Sequence, residues 1–157
     1  HYLRQADPVR LAKMIAPALD VADNADMLER LAAGLPGLTQ RASTLPELAE
    51  AARFYVQRPS FPLENPKAAK LVSGDGPAIA KVFANQVLST LSPWTTESLH
   101  DAMQAYCDAK GIGFGKVAQP IRGAVTGSNA SPDLMEVLFV LGRDECLARI
   151  AAVPAES

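Results

Sequence analysis

The chain is predicted to be all-α, with two small helical subdomains and no substantial sheet, and three observations carry that reading. Apolar residues fill 48 % of its 157 positions while aromatics fill only 6 %, so alanine and leucine must make most of the core, a composition that suits helix packing. Helix start and stop signals recur along the whole length. No segment alternates convincingly with the two-residue period of a half-buried strand.

The elements follow in order. Asp7-Pro8 reads as an N-cap and first helical residue, opening an amphipathic helix with Leu11, Met14, Ile15, Ala18 and Leu19 on one face. Pro17 falls inside that stripe and predicts a kink or an early end. Asn24 caps a second helix carrying Met27, Leu28 and Leu31, which stops before Gly34. Thr44-Leu-Pro-Glu47 has capping-box spacing, and Leu45, Leu48, Ala49 and Ala52 continue the apolar stripe. From Arg58 to Gly76 prolines and glycines break the pattern, with a short helix started by Asn65-Pro66. A longer helix after Pro77 uses Ile79, Val82, Phe83 and Val87 and ends at Ser92-Pro93. The boundary between subdomains is placed there, giving 1–91 and 92–157. Thr95 caps the next helix, which repeats Leu99, Ala102, Met103 and Tyr106 and closes at Gly111. Gly115 starts another, with Pro120 near its first turn, where a proline costs least. Ser131-Pro132-Asp133 opens a helix ended by Gly142, and a last one runs from near Asp144 to about Val153.

Several function classes are disfavoured. A net charge of −2 is not that of a non-specific nucleic-acid binder, whose domain pI usually exceeds ~9, so any nucleic-acid contact must come from a local patch. Cys107 and Cys146 are the only cysteines, and both read as buried free thiols, which points to a cytoplasmic protein. No apolar run approaches the ~18 residues of a membrane span, and no signal-peptide pattern opens the chain. Neither a Gly-x-Ser-x-Gly elbow nor a Walker A loop occurs, and Gly74-Asp-Gly-Pro77 is a turn. His1 and His100, the only histidines, are too far apart to suggest a local zinc site. Asp144 and Glu145 read as carboxylates favoured by a helix N-terminus. No catalytic or metal site is predicted.

One window stands apart. From Ala109 to Pro132 there is no acidic residue, while Lys110, Lys116 and Arg122 lie inside. Glycines at 113, 115, 123 and 127 keep its backbone approachable, and Gln119 adds a two-ended hydrogen-bonding side chain. An anionic partner would select such a carboxylate-free window. The window and its flanks resemble the C-terminal anticodon-binding region of bacterial glutamyl-tRNA synthetases. The matching elements are Pro93-Trp94-Thr95, Gly115-Lys-Val-Ala-Gln-Pro-Ile-Arg122, Val125-Thr-Gly127, Ser131-Pro132, Leu141-Gly142-Arg143 and Ala148-Arg149-Ile150. The likeness extends through Arg41 to Tyr55 and to His1-Tyr2-Leu3-Arg4-Gln5, and so covers most of the chain.

The resemblance implies a C-terminal piece of a glutamate–tRNA ligase that activates glutamate with ATP and magnesium. The family's nucleotide-binding signatures are absent from this chain, so the piece itself is expected to be non-catalytic, to bind no cofactor and to recognise glutamate tRNA as a monomer. Single-stranded anticodon bases are unstacked and expose their Watson–Crick edges to side chains. By resemblance, Gln119 and Arg122 contact those bases, and Ser131, Pro132 and Leu134 line the first and second anticodon positions. Relatives often carry threonine at position 131, so serine keeps the hydroxyl without the methyl. Lys116 is a candidate phosphate contact, with a solvated surface lysine as the stronger alternative. Arg41 takes the position linked to the third anticodon letter, cytosine in glutamate tRNA and guanine in glutamine tRNA. Cytosine offers O2 and N3 as acceptors and guanine offers N1–H and N2–H donors, so a donor-only guanidinium accepts the first and repels the second. A flanking arginine paired with Glu47 is the plainer reading of Arg41. Arg53, Arg58, Lys67 and Lys70 read as a solvated face that adds phosphate contacts at most. Trp94 reads as a staple against the following helix in preference to a base-stacking ring. The rival for the whole chain is a helical protein-interaction module on the same scaffold without RNA contact.

Overall fold

The computed structural model describes residues 6–155, which form nine α-helices and no strand among them. The amino-terminal His1–Gln5 match lies outside the described residues. The chain divides into two compact units, 1–57 and 58–157. The expected boundary at 91/92 therefore falls inside the second unit. The Pro- and Gly-rich stretch from Arg58 onward is not a linker, because the two helices it leads into pack on the helix that carries the basic window.

In the first unit, α1 (Pro8–Ile15) begins at Asp7, whose carboxylate accepts from the Arg10 N–H at 3.3 Å. Its early end at Pro17 is as predicted: the chain tightens into a 3₁₀ turn, Ala16–Leu19. That turn winds at about 3.0 residues per turn and carries Ala18 outward, leaving Leu11, Ala12, Ile15, Ala16 and Leu19 buried and Met14 exposed. Asn24 caps α2 (Ala25–Gly34), accepting from Met27 N–H at 3.0 Å. The helix runs through Gly34 instead of stopping before it. A Cβ at Gly34 would lie 2.4 Å from the Tyr55 ring, so this residue serves the close approach of α3 (Leu45–Val56) and does not act as a cap. The Thr44–Glu47 capping box forms at the start of α3, and Arg30 Nη1 donates to the Tyr55 carbonyl at 2.9 Å, tying α2 to the far end of α3.

The second unit contains α4 (Pro66–Leu71), α5 (Gly76–Phe83) with a π turn over Ala84–Leu88, α6 (Thr96–Lys110), α7 (Phe114–Thr126), α8 (Leu134–Leu141) and α9 (Arg143–Ala151). Asn65, Thr95 and Asp133 cap α4, α6 and α8 through their side chains. Gly111 and Gly127 end α6 and α7 with φ of 68° and 67°, a left-handed conformation that glycine adopts without steric cost. The Phe83 and Tyr106 rings meet edge-on at 5.1 Å, joining α5 to α6.

The α7 helix is the hub of this unit, touching α4, α5, α6, α8 and α9. Contact with α4 depends on Gly123, where a Cβ would come within 2.9 Å of Leu71 Cβ and Val72 Cγ1. That glycine is buried, so its openness is used inside the fold and not toward a ligand. Pro120 also differs from expectation. The helix begins at Phe114, so the proline sits in its interior, where it removes the N–H that would bond the Lys116 carbonyl. Its ring packs where a Cβ on Gly76 would lie 3.2 Å away. This close α5–α7 approach turns Ala80, Phe83, Ala84 and Leu88 inward and leaves Val82 exposed. Cys107 and Cys146 are buried free thiols, as expected, and burial pushes the Cys107 thiol up.

Candidate nucleic-acid interface

The carboxyl-terminal half of α7 and the loop that follows it gather the largest group of predicted site residues. Gln119 is exposed, and Arg122, one turn further, is half-buried. Arg122 Nη1 donates to Ser131 Oγ at 2.5 Å and to the Pro132 carbonyl at 3.0 Å. Ser131 Oγ lies 3.3 Å from that same carbonyl, to which it donates. Ser131 and Pro132 are buried, and Leu134, the first residue of α8, is 3 % exposed and sits in the core beneath the loop. Arg122, Ser131 and Pro132 thus form one hydrogen-bonded cluster, and Gln119 is exposed.

The loop is braced locally. The Thr126 hydroxyl donates to the Arg122 carbonyl at 2.7 Å and accepts from Ser128 N–H at 3.0 Å, and Ser128 Oγ accepts from Ala130 N–H at 3.0 Å. Where the basic window stops, Asp133 and Glu136 begin α8, and Asp133 Oδ2 accepts from Glu136 N–H at 3.2 Å. Burial, and then the Asp133 charge, raise the Glu136 pKa.

Other predicted residues lie elsewhere. Lys116 is exposed and sits 3.7 Å from Asp75, a loose ion pair with little energetic weight. Arg41 belongs to the first unit, exposed in the turn after Leu38, whose carbonyl its N–H bonds at 2.9 Å. Trp94 is a packing residue: its Nε1 donates to the Leu138 carbonyl at 3.1 Å, and the Arg143 guanidinium lies 5.0 Å from its ring. Arg143 also donates to the carbonyls of Leu88 and Leu91, tying the start of α9 to the end of the π turn. Arg53 is paired with Glu50 at 2.8 Å and Arg58 with Glu145 at 2.8 Å, while Lys67 and Lys70 are exposed. Among the described residues no group of three or more His, Cys, Asp or Glu could hold a metal, and no helix is long and apolar enough to cross a membrane.

Sequence reasoning missed the arrangement that anchors α7. Arg149, 2 % exposed, donates from Nη1 to the Val125 carbonyl at 2.6 Å and from Nε to Glu145 Oε2 at 2.8 Å. Arg58 donates to both oxygens of Glu145, at 2.8 and 3.0 Å. The hydrogen bonds from Arg58, and then from Arg149, hold the Glu145 carboxyl down at about 2 although burial opposes them. Glu145 is therefore an ion-pair partner more than a helix-end charge. The Glu145–Arg149 spacing of four, one helical turn, was the available signal.

Comparison with known proteins adds the family. The family described as "Anticodon binding domain" matches residues 10–154, and the chain belongs to it. Glutamate–tRNA ligase 2 of Paramagnetospirillum magneticum is 41 % identical over 155 residues, 96 % of this chain and 32 % of the relative. Glutamate–tRNA ligase 1 of Brucella melitensis is 44 % identical over 138 residues, 88 % of this chain and 28 % of the relative. The chain thus spans about a third of the length of the curated relatives it matches. A crystal structure of a glutamate tRNA ligase from Elizabethkingia meningosepticum, in complex with its amino acid, superposes with a TM-score of 0.79 at 21 % identity, over 97 % of this chain and 30 % of that one. That likeness bears out the all-α fold.

Proposed function

We propose that this chain is the anticodon-recognising part of a cytoplasmic, monomeric glutamate–tRNA ligase and that its partner is glutamate tRNA. The family match over nearly the whole chain carries the reading, and the exposed Gln119 beside the Arg122 cluster supplies chemistry that suits it. Gln119 offers both a donor and an acceptor to a base edge, and the Arg122 guanidinium adds positive charge to a window without carboxylates. Activation of glutamate with ATP and magnesium belongs, on this reading, to the remainder of the ligase, and no catalytic step is assigned to these residues.

Titration of the 157-residue chain with a glutamate tRNA transcript at two salt concentrations tests the proposal. Binding is expected, weaker at the higher salt because phosphate contacts release counterions. Absence of binding at low salt would overturn it and favour the protein-interaction module.

Selectivity tests Arg41 separately. Arg41→Gln is expected to narrow the free-energy gap between glutamate and glutamine tRNA binding by roughly 1–3 kcal/mol, a larger change than its effect on affinity for glutamate tRNA. Equal weakening toward both RNAs would reduce Arg41 to a general electrostatic contact.

A further inference from the structure

The stretch that leads into α5 lies along α7 in the opposite sense. A Cβ at Gly127 would meet Pro59 at 3.0 Å and Leu63 at 3.4 Å, and one at Gly123 would meet Leu71 at 2.9 Å. Nearer the start of α7, Pro120 packs on Gly76 and Lys116 lies 3.7 Å from Asp75. Numbering rises along one strand of this contact as it falls along the other, so α4 runs antiparallel to α7. Ala68 is fully buried and Leu71 meets Gly123, which fixes the inner face of α4. At 3.6 residues per turn, Lys67 then stands about a quarter-turn round from that face, on the side where α7 exposes Gln119. Lys70 stands further out.

Charge differs between the two flanks of this exposed strip. Lys67 and Lys70 are both exposed, and neither has an ion pair among the described residues. Arg58, the other cation of the stretch, is held by Glu145. On the far flank Arg122 joins α7 to the Ser131–Pro132 loop, and carboxylates follow it. Asp133 and Glu136 begin α8, and a cleft of about 310 Å³ there has Glu97, Asp101 and Asp133 in its lining.

We infer that Lys67 and Lys70 form a phosphate-binding edge outside the basic window. The sugar–phosphate backbone of the bound strand passes over α4, and its bases point across α7 toward the Arg122 side. Phosphates are attracted at the ammonium flank and repelled at the carboxylate flank, which sets that direction. A spacing of three along a helix holds the two Cβ atoms about 5–6 Å apart, so the side chains serve neighbouring phosphates. This rests on the RNA reading above and adds to it a contact that positions the strand without reading sequence.

Salt dependence tests the edge. The chain, Lys67→Ala, Lys70→Ala, the double alanine variant, a double arginine variant and Glu97→Gln are titrated over a salt series. The RNAs are an anticodon stem-loop transcript of glutamate tRNA and the same transcript substituted at one anticodon base. Both lysines are exposed, so the fold should survive, as circular dichroism checks. Each alanine is expected to lower the slope of log affinity against log salt by roughly 0.7, and the pair by roughly 1.4, the values for single-stranded phosphate contacts. The double alanine variant should weaken both RNAs equally, by roughly tenfold at low salt, as two exposed ion pairs would. The arginine variant should keep both slope and affinity, and Glu97→Gln should leave the slope where it was.

An unchanged slope in the double alanine variant overturns the edge. So does a fall in the ratio of matched to substituted affinity, because lysines that touch bases discriminate between the RNAs. Tighter binding by Glu97→Gln, with the alanine variants unmoved, assigns the backbone to the α6–α8 flank and overturns it as well. A parent chain that binds neither RNA sinks the anticodon reading itself, a result distinct from failure of the edge.

Discussion

Arg149→Ala is expected to lower the unfolding free energy of the second unit by about 3–5 kcal/mol, the usual cost of breaking a buried ion pair by removing one partner. Arg149 is almost wholly enclosed; one of its bonds runs within α9, to Glu145, and another joins α9 to the last turn of α7 through the Val125 carbonyl. The truncation leaves that carbonyl and one face of Glu145 without their donor, and both stay under cover. Arg149→Met, which keeps an apolar stem in the space, should recover part of the loss. Urea unfolding followed by circular dichroism measures both variants. An alanine variant within about 0.5 kcal/mol of the parent, the range of ordinary surface substitutions, would show that the pair contributes nothing net.

The second large effect is acid sensitivity. The Glu145 carboxyl is lowered from 4.5 to about 2, so it favours the folded state at all pH above 4.5. That contribution drains away as pH falls from 4.5 toward about 2, because the unfolded chain takes up the proton first. Such a shift corresponds to at most roughly 3 kcal/mol. The Arg58 hydrogen bond is the largest cause of the shift, but its side chain is 57 % exposed and water screens it, so the stabilisation falls below that figure. Glu145→Gln should therefore be less stable than the parent at neutral pH, and the difference should shrink steadily below pH 4.5. A gap that stays constant from pH 7 to pH 2.5 would mean that Glu145 carries no folding-linked charge.

How far the sequence alone reached depended on the range of the physics involved. Local signals served well: Asp7, Asn24, Thr44, Asn65 and Thr95 are caps where predicted, and Gly111 and the Pro17 break do what their backbone preferences dictate. Interactions between elements were harder. Gly34 and Gly123 resembled a stop signal and an approachable backbone, yet both exist to admit a neighbour, Tyr55 in one case and Leu71 with Val72 in the other. Pro120 could be placed only once the start of α7 at Phe114 was known. The unit boundary was set too late because prolines and glycines between 58 and 76 suggested a connector, whereas the short α4 packs on α7. At the candidate interface, the resemblance picked out residues that do assemble. It could not show that Arg122 bonds Ser131 and Pro132, because that contact depends on how a seven-residue loop, 127–133, returns beneath the helix.

The two enclosed thiols give this protein a built-in clock. Cys107 and Cys146 each have zero accessible surface, and both lie in the second unit. An alkylating reagent reaches them only when that part of the molecule opens. Their labelling rate therefore reports excursions of the α4–α9 unit without interference from the first 57 residues, which contain no sulfhydryl.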